Sequence, residues 1–144
     1  MKLLNTIFIM FIASFVVSYV TMPIILGVTS PYHQNHANKL YASLLMASIM
    51  GLIELFMYGY NAFWMSVLIA LILLSYYFIR TQMGVNEKQF LKGMIEHHAM
   101  GIAMVNGLEK REDVSPETQA LGKQIYTTQT KEISWMENRL NAIN

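Results

Sequence analysis

Residues 90–108, FLKGMIEHHAMGIAMVNGL, contain the adjacent histidines His97 and His98, and the rest of the chain is interpreted outward from them. Wound as a helix at about 100° per residue, it presents one broad face. That face holds Phe90, Met94, His97, His98, Gly101, Met104, Val105 and Leu108. Met100 lies one turn from His97. Imidazoles and thioethers on one face can bind a single borderline or soft metal ion. The competing interpretation is that the methionines are core filler and that the histidines are hydrogen-bonded within the core.

The composition is typical of a membrane protein. Of 144 residues, 54% are hydrophobic and 13% are charged, against about 25% charged residues in soluble domains. The net charge of +1 and the lack of a basic cluster give no basis for nucleic-acid binding. Cysteine is absent, which excludes disulfides, thiolate metal sites and cysteine nucleophiles. The twelve methionines are therefore the sulfur ligands that the chain has.

Three apolar runs, at residues 3–27, 40–59 and 63–79, are predicted to cross a cytoplasmic (inner) membrane, so residues 1–80 form a transmembrane region. We interpret the first run as a retained span rather than a signal peptide, because it is long and no small-residue cleavage site follows cleanly. Pro23 is expected to kink or end it near its outer edge. Residues 60–62 form a tight turn before the third run, whose terminal aromatic residues fit interfacial belts.

Several polar groups within this region are secondary candidates for a site. His33 and His36 lie in the polar loop 29–39, where they are either solvated or capture a metal ion. Glu54 lies inside the second span on a stripe with Met46, Met50 and Met57. An ionisable residue in a span is expected to face protein or water rather than lipid. Glu54 is therefore either a protonated carboxyl that bonds another helix or part of a functional site.

Residues 86–142 are predicted to form a helical hairpin. Asn86 and Gln89 are suited to an N-terminal capping box, and the first helix is expected to end near Leu108. After the charged turn 109–114, Ser115-Pro116-Glu117 is a strong helix start. Glu132 interrupts the apolar stripe of the second helix, and Gln129 borders it. Because a charge in such a stripe is normally compensated, the histidines of the facing helix are its expected partners.

Two helices cannot enclose two apolar stripes, so the hairpin is expected to pair with a second copy into a four-helix bundle. This homodimer, or higher homo-oligomer, would bring two His97-His98 pairs and two Glu132 carboxylates toward a shared centre. The alternatives are that the hairpin folds back on its own spans or docks on a different subunit of a larger membrane complex.

The two hairpin helices resemble those of the domain of unknown function 305 family. The resemblance rests on Met94-Ile95, His97-His98 and Met100, followed by Gln129, Glu132-Ile133 and Met136. The family commonly carries M-I-P-H-H-x-M in the first helix and Q-x-x-E-I-x-x-M in the second. Residues 40–57 are also similar to the central span of its small membrane-anchored members. Glu96 departs from the pattern, because the family usually has proline at that position.

The resemblance implies an all-α, ferritin-like fold and, as in some family members, binding of copper or silver outside the cytoplasm. It implies a ligand set drawn from Met94, His97, His98, Met100, Met104 and Met136, with Glu132 and Gln129 as ligands or their supports. The expected function is sequestration or hand-over of Cu(I), without bond chemistry, by an extracytoplasmic hairpin. The alternative is a small structural membrane subunit, whose His and Glu form a buried polar network. A di-iron enzyme is not favoured, since such sites need several Glu and Glu-x-x-His.

Overall fold

The structure, a computed structural model, describes residues 2–59 and 61–143, so Tyr60 of the expected turn lies outside the described residues. All the regular elements of the described chain are helices, and it contains no strand. Its elements, in order, are α1 Lys2–Val16, a π-helical segment Val17–Thr21, α2 Met22–Ile25, α3 Ala37–Tyr58, α4 Ala62–Thr81, α5 Glu87–Leu108 and α6 Pro116–Ala142. The predicted all-α class is therefore confirmed.

Three stretches of helix are long and apolar enough to cross a membrane: Asn5–Ile25, Ala37–Tyr58 and Ala62–Thr81. Their bounds lie within three residues of the predicted runs. The first stretch joins α1, the π-helical segment and α2, and Pro23 lies two residues before its end. A proline is tolerated there because it lies in the first turn of a new α-helical segment.

The chain forms two compact units, and the first contains the chain up to Met22 together with Ala37–Val85. In this unit, α3 packs against both α1 and α4. Ile7, Leu55 and Leu68 form its core, one residue from each helix. Asn61 caps α4 by accepting a hydrogen bond from the Trp64 backbone N–H at 3.1 Å.

The second unit contains Pro23–His36 and the residues from Asn86 onward. The sequence analysis groups residues 23–36 with the spans; in the structure this segment, which comprises the end of α2 and the loop that follows it, belongs to the same compact unit as the hairpin. Both predicted helix starts are present: Asn86 Oδ1 accepts from the Gln89 N–H at 3.0 Å, and Ser115 Oγ accepts from the Thr118 N–H at 3.3 Å.

The hairpin core lies between α5 and α6. It consists of Leu91, Ile95, Ile133, Met136 and Leu140, against which Tyr32 of the loop, Met94, Ile102 and Ile143 pack. Arg139 Nε donates to Glu87 Oε1 at 2.7 Å, which ties the end of α6 to the start of α5. This antiparallel register determines which polar side chains of the two helices meet.

Candidate metal centre

His98 and Glu132 meet across the hairpin, as expected for a compensated charge in an apolar stripe. The Nε2 atom of His98 lies 2.7 Å from Glu132 Oε2. The His98 side chain is 11% exposed and the Glu132 side chain 52% exposed. The pair therefore lies at the edge of the hairpin core, with one partner inside and the other reaching solvent.

The hydrogen bonds of His98 determine where its protons are. Its Nδ1 atom lies 2.8 Å from the Met94 carbonyl oxygen. Because a carbonyl can only accept, Nδ1 carries a hydrogen and donates it. The bond from Nε2 to Glu132 then requires one more proton, carried by the imidazole or by the carboxyl group. A metal ion that binds at Nε2 would replace that shared proton, with Nδ1–H already held by a backbone carbonyl, an arrangement common in metal-ligating histidines.

Two methionines stand next to this pair. Met94 precedes His98 by one turn on α5, and Met136 follows Glu132 by one turn on α6. Since the helices are antiparallel and His98 faces Glu132, Met94 and Met136 lie at the same level of the hairpin. Met136 is buried, and Met94 packs against the same core. Two thioethers, one imidazole and one carboxylate therefore lie within two turns of two helices, a donor set suited to a soft or borderline ion.

The other predicted ligands of α5 lie on a different side of the helix. His97 is exposed, with its ring centroid 6.0 Å from that of His98. Met104 is 75% exposed, and Met100 is partly buried. One α-helix turns by about 100° per residue, so adjacent histidines cannot both face α6. The structure thus brings His98 to Glu132 and leaves His97 near solvent.

Gln129 packs against Gly101, where an added Cβ would collide with the Gln129 side chain. Its Oε1 atom is buried without a hydrogen-bond partner among the described residues. Gly101, Met104, Leu121, Ile125 and Gln129 line part of a groove of about 360 Å³ between α5 and α6. The absence of a side chain at Gly101 is what admits the Gln129 amide to the helix interface.

The loop residues 23–36 cover α5 on a second side. The Glu96 carboxylate, 4% exposed, accepts a hydrogen bond from the Gln34 backbone N–H at 2.8 Å. The His36 ring lies against Gly93, at 3.2 Å from the position of an added Cβ. His33, the other loop histidine, is half-buried. The carboxylate that the sequence places beside the histidines therefore holds the loop, a role that no sequence pattern indicates.

Glu54 belongs to the first compact unit and not to the hairpin. It is buried within the three-helix unit, at 9% exposure. Its Oε2 atom has no hydrogen-bond partner among the described residues. Across residues 2–59 and 61–143, no group of three or more His, Asp or Glu side chains is arranged to hold a metal ion.

These features define a class of protein: an all-helical chain with three helices able to cross a membrane and a hairpin bearing histidine and methionine. The sequence profile of the family described as domain of unknown function (DUF305) matches residues 79–140. The chain is 31% identical to uncharacterized protein L153 of Acanthamoeba polyphaga mimivirus over 141 residues, or 95% of this chain and 92% of that protein. This protein belongs to the DUF305 family. No solved structure matches it.

Proposed function

We propose that this protein is a membrane-anchored binding protein for a soft metal ion, most simply Cu(I), which it sequesters or hands over. The observation that carries the proposal is the donor set of Met94, His98, Glu132 and Met136. Thioethers bind Cu(I) and Ag(I) without losing a proton, and the imidazole has to give up only the shared proton. No substrate bond is made or broken.

The position of the donors supports this function. A soft ion bound between His98 Nε2 and the two thioethers would lie at the edge of the hairpin core. The half-exposed Glu132 can move away or supply an oxygen, so the ion has an exit toward solvent. Such a site suits hand-over better than permanent storage, because one side of it is formed by a single movable side chain.

Metal retention by the purified full-length chain tests the proposal. Elemental analysis after loading with Ag(I) and desalting should give bound metal in the wild type, and His98→Ala should lower the bound silver by about one ion per chain, the share that the hairpin holds. His97→Ala is the matched comparison, because it removes an imidazole from the adjacent position outside the donor set. Full retention by a His98→Ala, Met94→Leu, Met136→Leu variant would refute the site. Equal loss in His97→Ala and His98→Ala would move the site to the exposed side of α5.

We further propose that a second copy covers the exposed side of the hairpin. Phe90, Met104, Leu121 and Trp135 are each more than half exposed, and helical spacing places them with His97 along one side of the hairpin. We call these five residues the open face. Apolar side chains of this size are a common mark of an interface, and two-fold pairing would give the four-helix bundle. Disulfide crosslinking of a single cysteine at Ile125 tests it, since the chain has no cysteine of its own. Absence of an intermolecular crosslink would contradict it.

The structural-subunit function remains a second candidate because both ring nitrogens of His98 already have hydrogen-bond partners. A buried polar pair of this kind can fix helix register without any ion. In that case, His98→Ala would destabilise the hairpin, and neither copper nor silver would be retained by the wild type.

For orientation, we propose that the hairpin is extracytoplasmic in an inner (cytoplasmic) membrane, since three spans place it opposite the N-terminus. A C-terminal alkaline phosphatase fusion should then be active, whereas an inactive phosphatase with a fluorescent C-terminal reporter would reverse the assignment.

A further inference from the structure

A second group of methionines lies in the three-helix unit. A groove of about 590 Å³ between α1 and α3 is lined by Met10, Ala13, Ser14, Val17, Ser18, Met22, Met46 and Met50. The described part of this unit contains seven methionines, so this one groove collects more than half of them. By contrast, the groove of about 390 Å³ lined by α1 and α4 contains Phe8, Phe11 and Trp64 but no methionine.

The register of α1 and α3 places three of these methionines at neighbouring levels along the groove. An added Cβ on Gly51 would lie 3.9 Å from Ile7, and the Lys39 ammonium lies 5.1 Å from the centre of the Tyr19 ring. Between these two antiparallel contacts, Met10 of α1 lies level with Ser48 of α3, about 3 Å along the helix axis from Met50 on one side and from Met46 on the other.

These methionines are not core filler in the structure. The core of the unit consists of Ile7, Leu55 and Leu68, whereas Met46 is 49% exposed and Met10 and Met50 are partly buried. Here the thioethers border open space, where they can reach a ligand.

The π-helical segment contributes to this alignment. Met10, Ser14, Ser18 and Met22 follow one another at intervals of four residues, and in an α-helix each such step drifts by about 40° around the axis. The segment Val17–Thr21 has π-helical hydrogen bonding, which winds the chain less tightly and reduces the drift. Met22 consequently lines the same groove as Met10. π-Helical turns inside α-helices are frequent at functional sites.

A buried carboxyl group lies next to these methionines along α3. Glu54 follows Met50 by one turn on α3, a separation of about 5–6 Å between Cβ atoms. It is 9% exposed, and its Oε2 atom has no hydrogen-bond partner within the described residues. A buried carboxyl with an unused oxygen favours a nearby cation. Thioethers carry no charge, and Glu54 is the only acidic residue in the sequence of this unit, so it is the group available to compensate the charge of a bound monovalent ion.

We propose that Met10, Met46 and Met50 form a second soft-metal site, for Cu(I) or Ag(I), in the groove between α1 and α3. The site rests on the proposed function of the hairpin only for the class of metal. Its ligands are neutral sulfur atoms, which favour soft monovalent ions over Zn²⁺, Mg²⁺ or Ca²⁺. The chain would then hold the same class of ion in two separate units, one built from thioethers alone and one from thioethers with imidazole.

The test uses the full-length chain in lipid nanodiscs with Ag(I) as the probe. The hairpin donors are first removed by His98→Ala, Met94→Leu and Met136→Leu. In this background the groove should still retain silver, and adding Met10→Leu, Met46→Leu and Met50→Leu should lower retention at least about tenfold. Leucine approximately conserves the volume of methionine, so the helix packing is expected to persist. Met57→Leu, Met65→Leu and Met83→Leu form the control triple outside the groove, and they should retain silver fully.

A second measurement needs no variant. Ag(I) should slow peroxide oxidation of Met10, Met46 and Met50 to the sulfoxide in the wild type, as mapped by mass spectrometry, and should leave the exposed Met57 and Met83 unaffected. Equal oxidation rates with and without Ag(I) would overturn the site, as would full silver retention by the groove triple. Loss of all silver in the hairpin variant alone would also overturn it while leaving the hairpin site in place. If the hairpin substitutions leave silver retention unchanged and only the three groove substitutions lower it, the groove site would be supported and the hairpin site refuted.

Discussion

The two sides of α5 differ in what covers them. On one side, the loop residues 23–36 supply cover from within the chain: Gln34 bonds Glu96, and His36 lies against Gly93. On the other side, the open face has no cover among the described residues. The difference shows that this hairpin is a three-layer structure over part of its surface and a two-layer structure over the rest. The candidate metal centre at His98 and Glu132 lies beside the uncovered part, where an ion or a second copy can approach.

Removal of a core side chain should have the largest effect. Ile95 is 1% exposed in the core of the hairpin, so Ile95→Ala should lower the free energy of opening of α5 by about 2–5 kcal/mol. Hydrogen exchange of α5 amides in the detergent-solubilised chain measures this quantity. Phe90→Ala, on the open face, is the control and should change it by about 0.5 kcal/mol or less in the monomer. A large effect of Phe90→Ala that depends on protein concentration would mean that the open face is buried against a second copy.

The packing contact between residues 23–36 and α5 should be the next most sensitive point. Gly27 has a φ of 89°, and a Cβ built on it would lie 2.5 Å from the Ala103 Cβ. Gly27→Ala should therefore cost about 2–3 kcal/mol through backbone strain and steric overlap. The expected readout is faster proteolysis and faster exchange in residues 23–36. Gly107→Ala is the matched control, because nothing lies within 4 Å of its added Cβ, and helix propensity should make it neutral or stabilising. Equal rates of proteolysis and exchange in the two variants would show that residues 23–36 do not pack against α5.

Loss of the Glu96 carboxylate should have a smaller effect on the same loop. Glu96→Ala leaves the Gln34 N–H without its acceptor, at a cost of about 1–2 kcal/mol. Glu96→Gln retains an acceptor oxygen and should recover much of the protection of the Gln34 amide in hydrogen exchange. If alanine and glutamine variants exchange at the wild-type rate, the carboxylate does not hold the loop.

Local sequence patterns predicted the elements of this fold well. Apolar runs identified the three candidate spans, and Asn86 and Ser115 identified the starts of both hairpin helices. These signals depend on residues near one another in the chain, so they can be read directly. The family assignment was also correct, because its motif residues lie within two helices.

Contacts distant in sequence could not be predicted in the same way. No pattern indicates that the Gln34 N–H meets Glu96, since every residue except proline carries the same backbone N–H. Nor does any pattern indicate that residues 23–36 form one compact unit with the hairpin. The sequence analysis expected a histidine of the facing helix to pair with Glu132, but it did not distinguish His98 from His97. Only the register of α5 against α6 separates the two histidines.

The smallest expected effect concerns the turn between the hairpin helices. Arg111 donates two hydrogen bonds to Asp113, of 2.9 and 2.6 Å, and this guanidinium lowers the pKa of the Asp113 carboxyl below its ordinary value. A carboxyl with a lowered pKa contributes stability above its unfolded-state pKa, and that stability is lost as the pH falls through the folded-state pKa. Both side chains are largely exposed, and such pairs are screened by solvent. Asp113→Asn should therefore change the Tm by about 1 °C or less at neutral pH. The small decrease in Tm that protonation of Asp113 causes at acid pH in the wild type should be absent from this variant. Circular dichroism melts between pH 7 and pH 3 measure both. A large drop in Tm at neutral pH would mean that this turn, which lies outside the covered side and the open face, is packed against a partner.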